Sequence, residues 1–556
     1  MAFQFFIKKK IAEKQLKIKK DKIIFCRIVM LDILIKGARV FDGEIFLVGD
    51  ICVGVREGKI ISVGKTCGKA KRVIDAAGLV LAPGFIDIHS HSEFTVLFNP
   101  ESESKICQGV TTELVANCGF GPWPCENAAG KRLKERLECF GLKLEWNSLQ
   151  GYFDFLAKVR PSVNIGVFIG HGNVRASVIG YENRAPDEKE MKHMRGLVEG
   201  GMKQGAFGLS TGLMYPPGVY AKKPELIECA KAASSFGGIY VTHMRNESGD
   251  IINSIQEALK IGYEANIKVQ ISHLKVAGRQ NWDKIDEVFS LIEGARKSGM
   301  DVTCDRYPYS ASFTSLDIVL PSWVYEGGNA EEIKRLRNPE TRRKLAEQLR
   351  KEKSDEYWDR VKIASVSTDK NKPFEGKSVL EIANFKNSNP VEVFFDLLLE
   401  ESLGVYAIFF NMSEKNLFKI LGKTYCMVGS DAASRVDYGK LRQSMVHPRA
   451  YGTFPRAAGR FVRDGKLNLE DALYKMTGQP SRKLKLKDRG FIRKGLAADL
   501  VLFDPGSLAD TATFDCPHKY PGGIKHVIIN GTVTVEEGEH TGARAGTVVK
   551  SISRKQ

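Results

Sequence analysis

The hydrophobic and polar positions of the chain divide it into two β-rich ends around an alternating middle. From residue 30 to about residue 84, short apolar runs are separated by glycine and aspartate turn signals. The same texture returns after residue 481, in "KGLAADLVLFDP" and "IKHVIINGTVTVEEGEHTG". We therefore predict that residues 30–84 and 481–556 combine into one small domain, a β-sandwich built from both chain ends.

The middle of the chain, residues 85–480, alternates between short apolar runs and helical stretches such as "KKPELIECAKAASSFG". This alternation is typical of parallel βαβ units, and eight of them at this length predict an α/β fold, the (β/α)8 TIM barrel. The interval between the seventh and eighth runs is too long for one crossover, so we predict a helical insertion at about 311–375, a candidate lid. The runs span residues 85–91, 111–118, 164–171, 206–211, 239–244, 268–274, 301–308 and 425–431.

Most of these runs end in a polar residue that can do chemistry. Barrel enzymes assemble their active sites at the C-terminal ends of the strands, and histidines with independent structural roles would have no reason to gather there. The sequence therefore predicts a functional site at this mouth of the barrel. The terminal residues are His91, Cys118, His171, Thr211, His243, His273, Asp305 and Asp431.

Five of these positions suggest a metal centre. In "LVLAPGFIDIHSHSEF", His89 and His91 stand two apart at the end of a strand, so both side chains point to the same side. Cys118, His243 and His273 follow at the ends of other strands. Imidazole and thiolate are good zinc ligands. The alternative, buried structural histidines and a free thiol, explains the shared strand-end position less well.

Asp431, in "VGSDAAS", ends the last strand. A carboxylate beside a metal-activated water can take its proton and later deliver it to a leaving nitrogen. Two other roles stay open at this stage, metal ligation alone and capping of the following helix.

The motifs resemble those of the amidohydrolase superfamily, and within it the D-aminoacylase (N-acyl-D-amino-acid deacylase) family. The resemblance covers roughly residues 30–550 and rests on "PGFIDIHSH", "GVTTELVANCG", "GHGNVR", "GAFGLSTGLMYPPG", "YVTHMRNE", "ISHLK", "DRYPY", "GSDA" and "HPRAYGTFPR". It implies zinc-dependent deacylation of N-acyl-D-amino acids, releasing a carboxylate and a free D-amino acid.

By position, the resemblance assigns Cys118, His243 and His273 to one tight zinc ion. It assigns His89 and His91 to a second metal position, whose occupancy stays open, and Asp431 to the role of catalytic base and acid. The strand end where many superfamily members carry a carboxylated lysine offers Cys118 here, which favours this branch over dihydroorotases and hydantoinases. The preference for D over L substrates follows from the resemblance alone.

An N-acyl amino acid carries a free carboxylate, which requires fixed donors in the site. Arg449 offers a bidentate fork, Lys275 a second cation and Tyr307 a hydroxyl, and all three match substrate-carboxylate positions of the resembled family. Ordinary surface salt bridges and a packed ring are their alternative interpretations. An acidic substrate side chain would need an additional cation, and residues 307–334, where the candidate lid begins, contain no arginine. We therefore favour neutral substrate side chains, although Arg435 and Arg442 leave acidic ones open.

Composition adds limits on location and partners. The 556 residues are 43% hydrophobic and 27% charged, with no uninterrupted apolar segment long enough to span a bilayer, so we expect no membrane partner. Eleven scattered cysteines without a CxxC motif fit a reducing compartment, and we predict a cytoplasmic protein. Of the net charge of +17, residues 1–29 carry +7, from nine Lys/Arg and two acids. We interpret this basic N-terminal extension as a solvated tail and expect no nucleic-acid partner.

Three alternative functions stay in view. The chain could act on a cyclic amide or another N-acyl substrate. "GLSTG" (208–212) fits a serine-hydrolase pattern, but the prolines that follow it resist the helix that a nucleophile elbow needs. A non-catalytic scaffold with a basic nucleic-acid-binding arm is disfavoured, because all five ligand candidates and Asp431 are retained. His171 is left outside the catalytic set, since a structural role explains it equally well.

Overall fold

The computed structural model describes residues 30–552, so the basic extension 1–29 lies outside the described part. All eight predicted apolar runs form barrel strands, and the (β/α)8 barrel is confirmed. Neighbouring strands pair in parallel in chain order, and a parallel bridge between Ser90 and Ala432 joins the first strand to the last. The strands are Phe85–Asp87, Val110–Val115, Asn164–Val167 continued by Ile169–Gly170, Gly208–Gly212, Ile239–His243, Lys268–Ile271, Val302–Arg306 and Cys426–Val428.

The helices that follow these strands pack their apolar faces against the barrel. Apolar residues on both faces of the parallel strands are buried, which is why the strands read as near-continuous hydrophobic runs in the sequence. The principal helices of this layer are Asn127–Glu138, Leu149–Val159, His171–Val178, Glu188–Gln204, Lys223–Ser234, Ile251–Glu264, Ile285–Lys297, Glu414–Leu421, Arg449–Pro455, Leu469–Met476 and Gly478–Leu484.

The two chain ends meet in a pair of β-sheets beside the barrel. Val80–Pro83 pairs antiparallel with Leu500–Phe503, and residues of both sheets share one apolar core. The last residues depart from the predicted division at 481–556, because Thr547 and Val549 bond to the backbone of Ile165 in the third barrel strand. One sheet contains Leu31–Lys36, Cys52–Arg56, Lys59–Gly64 and Ala70–Asp75; the other contains Arg39–Val40, Val80–Pro83, Leu500–Phe503, Ile524–Ile529, Thr532–Glu536 and Glu539–His540.

The insertion between the seventh and eighth barrel strands is longer than predicted. It has its own three-stranded antiparallel sheet, in which Tyr406–Phe409 lies between Ser312–Ser315 and Val361–Ser365. Because the central strand comes last in the chain, the module runs from 312 to 409 rather than ending near 375. Its helices are Asn329–Arg337, Pro339–Glu352, Asp355–Asp359, Val379–Phe385 and Pro390–Glu400, and they enclose a separate apolar core.

Cysteine pairing and the character of the helices bear on two further predictions. Cys52, at the start of the strand Cys52–Arg56, forms a disulfide with Cys67, in the loop before Ala70–Asp75, which differs from the free thiols expected in a reducing compartment. Among residues 30–552, none of the helices combines the length and the apolar character that crossing a membrane requires.

Candidate metal centre and active site

The five predicted metal ligands converge at the C-terminal mouth of the barrel. Cys118 Sγ lies 3.4 Å from His89 Nε2 and 3.7 Å from His273 Nε2, and His273 Nε2 lies 2.9 Å from His243 Nδ1. His91 Nε2 is 3.1 Å from Asp431 Oδ1. The donor atoms form two groups that share Cys118, each with its atoms within 4.8 Å of one another.

The spacing and chemistry of these donors fit a divalent metal ion. Ligands around a tetrahedral zinc, with bonds of about 2.0–2.3 Å, lie roughly 3.3–3.7 Å apart. In the Cys118, His243 and His273 group, His273 Nε2 lies 3.7 Å from Cys118 Sγ and 2.9 Å from His243 Nδ1, close to that range. These three residues would hold one ion, and His89 and His91 with Asp431 offer donors for a second.

The charge states of the donor side chains also favour the binding of a cation. Burial alone would raise the pKa of Cys118, but the charge of His89 and hydrogen bonds from His243 and His273 hold it well below its ordinary value. Burial opposes the protonation of His91, yet Asp431 and Cys118 raise its pKa to about 9. The thiolate is therefore ready to ligate, and a bound ion would take the place of the imidazole protons.

Three of the site residues adopt a backbone conformation that non-glycine residues seldom adopt. The φ angles of Cys118, His273 and Asp431 are +53°, +35° and +50°. Each stands just beyond a barrel strand, where the turn aims its side chain across the mouth. Residues held in such conformations cluster at functional sites, because the surrounding structure must enforce them.

A buried aspartate that the sequence analysis noted but did not assign orients two of the histidines. Asp305 Oδ1 lies 2.9 Å from His89 Nδ1 and accepts a 2.8 Å hydrogen bond from the backbone N–H of His273. Gln270 donates to its other oxygen. Asp305 thereby leaves His89 Nε2 facing Cys118, the role that carboxylates commonly play behind histidine ligands.

Asp431 lies between the metal ligands and a cation. Its Oδ1 faces His91 and, at 3.4 Å, His89, while its Oδ2 is 2.8 Å from Arg449 Nη1. Burial would raise the pKa of Asp431, but Arg449 and the histidines hold it well below its usual range. The carboxylate is therefore ionised at neutral pH and able to accept a proton.

The three predicted carboxylate-binding residues differ in whether their polar groups already have partners within the protein. Tyr307 is fully buried, and its hydroxyl has no hydrogen-bond partner among the described residues. The guanidinium of Arg449 lies over the Tyr307 ring at 4.5 Å while it pairs with Asp431. Lys275 is already paired within the protein, because its Nζ lies 2.6 Å from Glu247 and 2.8 Å from His273 Nδ1.

Glu247 is the site residue that the sequence analysis missed. It is buried and lies within 3.0 Å of His273 Nδ1 as well as beside Lys275. Burial would raise its pKa, but Lys275, His273 and His243 lower it strongly. Its position four residues after His243 was the only sequence signal, and that signal is weak without the fold.

Ser210 and His171 are used in other ways. The Ser210 hydroxyl donates to the Ala116 carbonyl at 2.6 Å and accepts from the Gly119 N–H, so no histidine activates it. The glycines of "GLSTG" serve close packing instead, since a Cβ on Gly212 would meet the Cys118 carbonyl oxygen. His171 bonds to buried Glu225 at 2.9 Å, behind the mouth.

A buried lysine ties the first, second and eighth strands together beneath the site. Lys105 Nζ lies 2.8 Å from Asp87, 3.3 Å from Glu113 and 2.7 Å from the Ser430 hydroxyl, and it donates to the Ala432 carbonyl at 2.8 Å. All these groups are at or near zero exposure. One cation thus balances two buried carboxylates under the turn that carries Asp431.

We expect Lys105→Met to destabilise the protein by about 3–5 kcal/mol, because it leaves buried carboxylates without a partner. The free energy of unfolding, from urea titration followed by tryptophan fluorescence, measures this loss. Lys131→Met, at an exposed position of the neighbouring helix, is the matched control and should stay near wild type. Equal stability of the two variants would contradict this account of the network.

A cavity of about 1360 Å³ extends from the metal ligands to the insertion. Its floor contains Cys118, His243 and His273, and its far wall contains Ile318, Val319 and Tyr325 from the insertion. The site is therefore a deep pocket between the barrel and the insertion, and it can hold a substrate much larger than acetate.

Comparisons with known proteins agree with this geometry. A profile described as "Amidohydrolase family" matches residues 72–244 and 437–535. The chain is 34% identical to a D-aminoacylase of Alcaligenes xylosoxydans xylosoxydans, over 93% of this chain and 97% of that protein. It is 32% identical to an N-acyl-D-glutamate deacylase from the same organism, over 90% and 93% of the two chains.

Among solved structures, the N-acyl-D-glutamate deacylase of Bordetella bronchiseptica, complexed with zinc and a phosphonate inhibitor, superposes with a TM-score of 0.79. The match has 29% identity and covers 94% of this chain and all of that one. The barrel and the residues at its mouth define an amidohydrolase, and the chain belongs to the D-aminoacylase family of that class. The predicted family and the prediction of a hydrolase are confirmed.

Proposed function

We propose that this protein is a zinc-dependent deacylase that hydrolyses N-acyl-D-amino acids to a carboxylate and a free D-amino acid. The observation that carries the proposal is the cluster of Cys118, His243 and His273, with the Asp431 carboxylate beside it at the barrel mouth. The names of the similar proteins, D-aminoacylase and N-acyl-D-glutamate deacylase, support the substrate class.

The residues of the chain divide the chemistry between them. Cys118, His243 and His273 would hold the tight zinc ion, with His89 and His91 available to a second. Bound zinc would supply a Lewis acid that polarises the acyl carbonyl and lowers the pKa of water. The Asp431 carboxylate accepts a proton from the attacking water and passes it to the amide nitrogen as the C–N bond breaks.

Tyr307, Arg449 and Lys275 orient the substrate through its carboxylate. Arg449 spans Asp431 and the face of Tyr307, so a carboxylate held there brings the scissile amide next to the base. Glu247 neutralises Lys275, so we assign Lys275 the weaker share and Tyr307 with Arg449 the larger one. The free Tyr307 hydroxyl is then a preformed donor.

We expect Tyr307→Phe to lower kcat/KM for an N-acyl-D-amino acid by about 10–100-fold, mainly through KM. A hydrogen bond to a charged group contributes about 1.5–3 kcal/mol, and this variant removes one without changing the ring. Tyr309→Phe is the matched control and should keep the wild-type KM. It removes another buried hydroxyl that lacks a partner among the described residues, but Tyr309 does not line the cavity. Steady-state kinetics that show the same KM for Tyr307→Phe and wild type would refute this role.

Apolar residues of the insertion support neutral substrate side chains. Ile318 and Val319 line the cavity, and no arginine occurs between Arg306 and Arg335. The insertion also lines the cavity with Lys353, Arg360 and Lys372, but Arg360 and Lys372 are paired with Glu356 and Glu375. We therefore propose leucine- and methionine-like D-amino acids as the preferred amine products.

The insertion contacts the mouth at several points, and we propose that it closes over bound substrate. Tyr215, from the loop after the fourth strand, bonds to Thr314 of the insertion at 3.0 Å.

Eight of the ten described cysteines are free thiols, and the other two form the Cys52–Cys67 disulfide. The majority of free thiols supports the proposal of a reducing, cytoplasmic setting.

The alternatives differ in what they predict for activity. The test is release of amine from paired N-acetyl-D- and N-acetyl-L-amino acids with zinc supplied, repeated with a chelator. Loss of activity with the chelator supports the zinc mechanism, whereas chelator-resistant turnover would favour a serine hydrolase. Turnover of cyclic amides alone would favour the cyclic-amide alternative, and salt-sensitive nucleic-acid binding without hydrolysis would favour the scaffold.

A further inference from the structure

His447 is a buried histidine of the motif "HPRAYGTFPR" that the proposed chemistry does not use. It lines the cavity and stands two residues before Arg449. Among residues 30–552, it belongs to neither group of candidate metal donors. Its role must therefore come from its contacts with other parts of the chain.

Backbone groups occupy both ring nitrogens of His447. Nε2 lies 2.9 Å from the carbonyl oxygen of Ala311, and Nδ1 lies 3.0 Å from the backbone nitrogen of Arg449. Because the carbonyl can only accept and the N–H can only donate, the imidazole is neutral with its proton on Nε2. Burial and the charge of Arg449 lower the pKa of His447 well below its ordinary value, which agrees with the neutral form. One side chain thus joins two segments that are far apart in sequence.

On one side, His447 fixes the start of the helix that carries Arg449. This helix, Arg449–Pro455, begins at Arg449, and its first N–H groups have no partner within the helix. The His447 ring accepts from the first of them, much as the side chain of a capping residue does. The backbone of Arg449 is therefore fixed at the point from which its guanidinium reaches Asp431 and the Tyr307 ring.

On the other side, His447 holds the chain at the base of the insertion. Ala311 directly precedes Ser312–Ser315, a strand of the insertion's sheet. The Arg449 guanidinium also donates, at 3.5 Å, to the Phe313 carbonyl in that strand. Two carbonyls of one short segment therefore face His447 and Arg449.

Aromatic rings keep the imidazole in this orientation. The ring centres of Tyr309 and Phe514 lie 5.2 Å and 5.0 Å from that of His447, both edge to face. Phe514 also packs at 4.8 Å against Phe410, which follows the central strand of the insertion's sheet. Residues from both chain segments that flank the insertion thus enclose the histidine, so its two hydrogen bonds are kept together.

We propose that His447 is a positioning residue that fixes the carboxylate-binding Arg449 to the base of the insertion, so that carboxylate binding and the placement of the insertion depend on each other. The inference rests on the proposed function, because it takes Arg449 as the group that binds the substrate carboxylate. It goes further by linking substrate orientation to the insertion. A purely structural histidine would affect stability alone.

Two substitutions remove the two contacts one at a time. The side-chain oxygen of asparagine can take the place of Nδ1, and the amide nitrogen of glutamine can reach the position of Nε2. His447→Asn should therefore keep the bond to Arg449 and lose only the bond to Ala311. We expect it to raise KM for N-acetyl-D-leucine by about 3–10-fold, as the loss of one hydrogen bond would, while kcat stays near wild type. His447→Gln, which loses the other bond, should have the same effect.

His518→Gln is the matched control. His518 also uses both ring nitrogens, with contacts of 2.9 Å to the Ser444 carbonyl and 3.1 Å to the Tyr451 hydroxyl, but it does not line the cavity. This variant should have the wild-type KM. A wild-type KM for His447→Asn would overturn the link to the insertion. Lower thermal stability without a change in KM, in both His447 variants, would make the histidine a structural residue.

Hydrogen–deuterium exchange of the zinc-loaded full chain tests the link without turnover. D-leucine, the proposed product, should slow exchange in wild-type peptides covering residues 309–316 and 446–455. D-leucinamide, which lacks the carboxylate, should slow neither. In the His447 variants, D-leucine should slow exchange in 446–455 alone. Slowing confined to 446–455 in wild type would overturn the proposal even if neither variant folds.

Failure of the proposed function gives a different result. D-leucine would then change exchange in neither segment, and N-acetyl-D-leucine would not be hydrolysed. The ligand-free proteins decide in that case, since His447→Asn should exchange faster than wild type in 309–316 and His518→Gln should not. Equal exchange of 309–316 in wild type and His447→Asn would show that the histidine does not hold the base of the insertion.

Discussion

Asp431→Asn is expected to reduce kcat for N-acyl-D-amino acids by about 10²–10⁴-fold while zinc stays bound, because asparagine cannot take or return a proton. The shape of the side chain is kept, and an amide oxygen can still face His91 and Arg449. Zinc content by elemental analysis and kcat by amine release together measure the effect. The separation of metal content from turnover distinguishes the assigned role from simple metal ligation.

A matched control for this variant is Asp437→Asn, six residues later in the same loop. Asp437 contacts the Tyr520 hydroxyl at 3.5 Å and belongs to neither group of metal ligands. We expect its kcat to stay near that of wild type. If Asp431→Asn turned over at the wild-type rate, the proton transfer would have to be assigned elsewhere.

Cys118→Ala is expected to weaken zinc binding by more than about 100-fold. Partners behind a metal ligand commonly contribute 10–100-fold in affinity, and a direct ligand should contribute more. Cys118 is also the donor shared by both ligand groups, so its loss affects both positions. Competition with a chromophoric chelator gives the dissociation constant, and amine release should fall with metal occupancy.

Cys125→Ala provides the comparison, since Cys125 is a partly buried thiol seven residues later with a contact to the Trp146 carbonyl. That variant should bind zinc as wild type does. Full zinc occupancy in Cys118→Ala at nanomolar free zinc would remove Cys118 from the ligand set. It would then leave the histidines alone to hold the ion.

The charges at the mouth have a consequence for substrate binding. Arg449 already pairs with Asp431 before a substrate carboxylate arrives. A guanidinium has five donors in a planar fork, so one edge can keep Asp431 while another receives the carboxylate. A substrate carboxylate can therefore bind near the negatively charged Asp431, because the Arg449 guanidinium lies between the two carboxylates.

The barrel was predictable because its signals are local. Each strand is a short buried run, and the parallel βαβ rule places the strand ends at one mouth, which brings His91, Cys118, His243, His273 and Asp431 together without any structure. The chemistry of the ligand set followed from residue type. The structure shows that these side chains do meet within a few ångströms.

The remaining features depend on contacts between distant parts of the chain. Glu247 and Asp305 act by contacting histidines. The strand-end position of Asp305 and the four-residue spacing of Glu247 from His243 do not reveal which histidines they contact. The extent of the insertion was underestimated because its central strand, Tyr406–Phe409, pairs with Ser312–Ser315 nearly a hundred residues earlier. The neutralisation of Lys275 by Glu247 likewise requires the fold.

The measurement that tests the central claim most directly is amine release from paired N-acetyl-D- and N-acetyl-L-forms of leucine, methionine and glutamate, with zinc supplied. We expect turnover of the D forms alone, highest for leucine and methionine, and its loss when a chelator removes the metal. Turnover of the L forms, or no turnover of either series by protein shown to be folded and zinc-loaded, would contradict the proposal that this site deacylates N-acyl-D-amino acids.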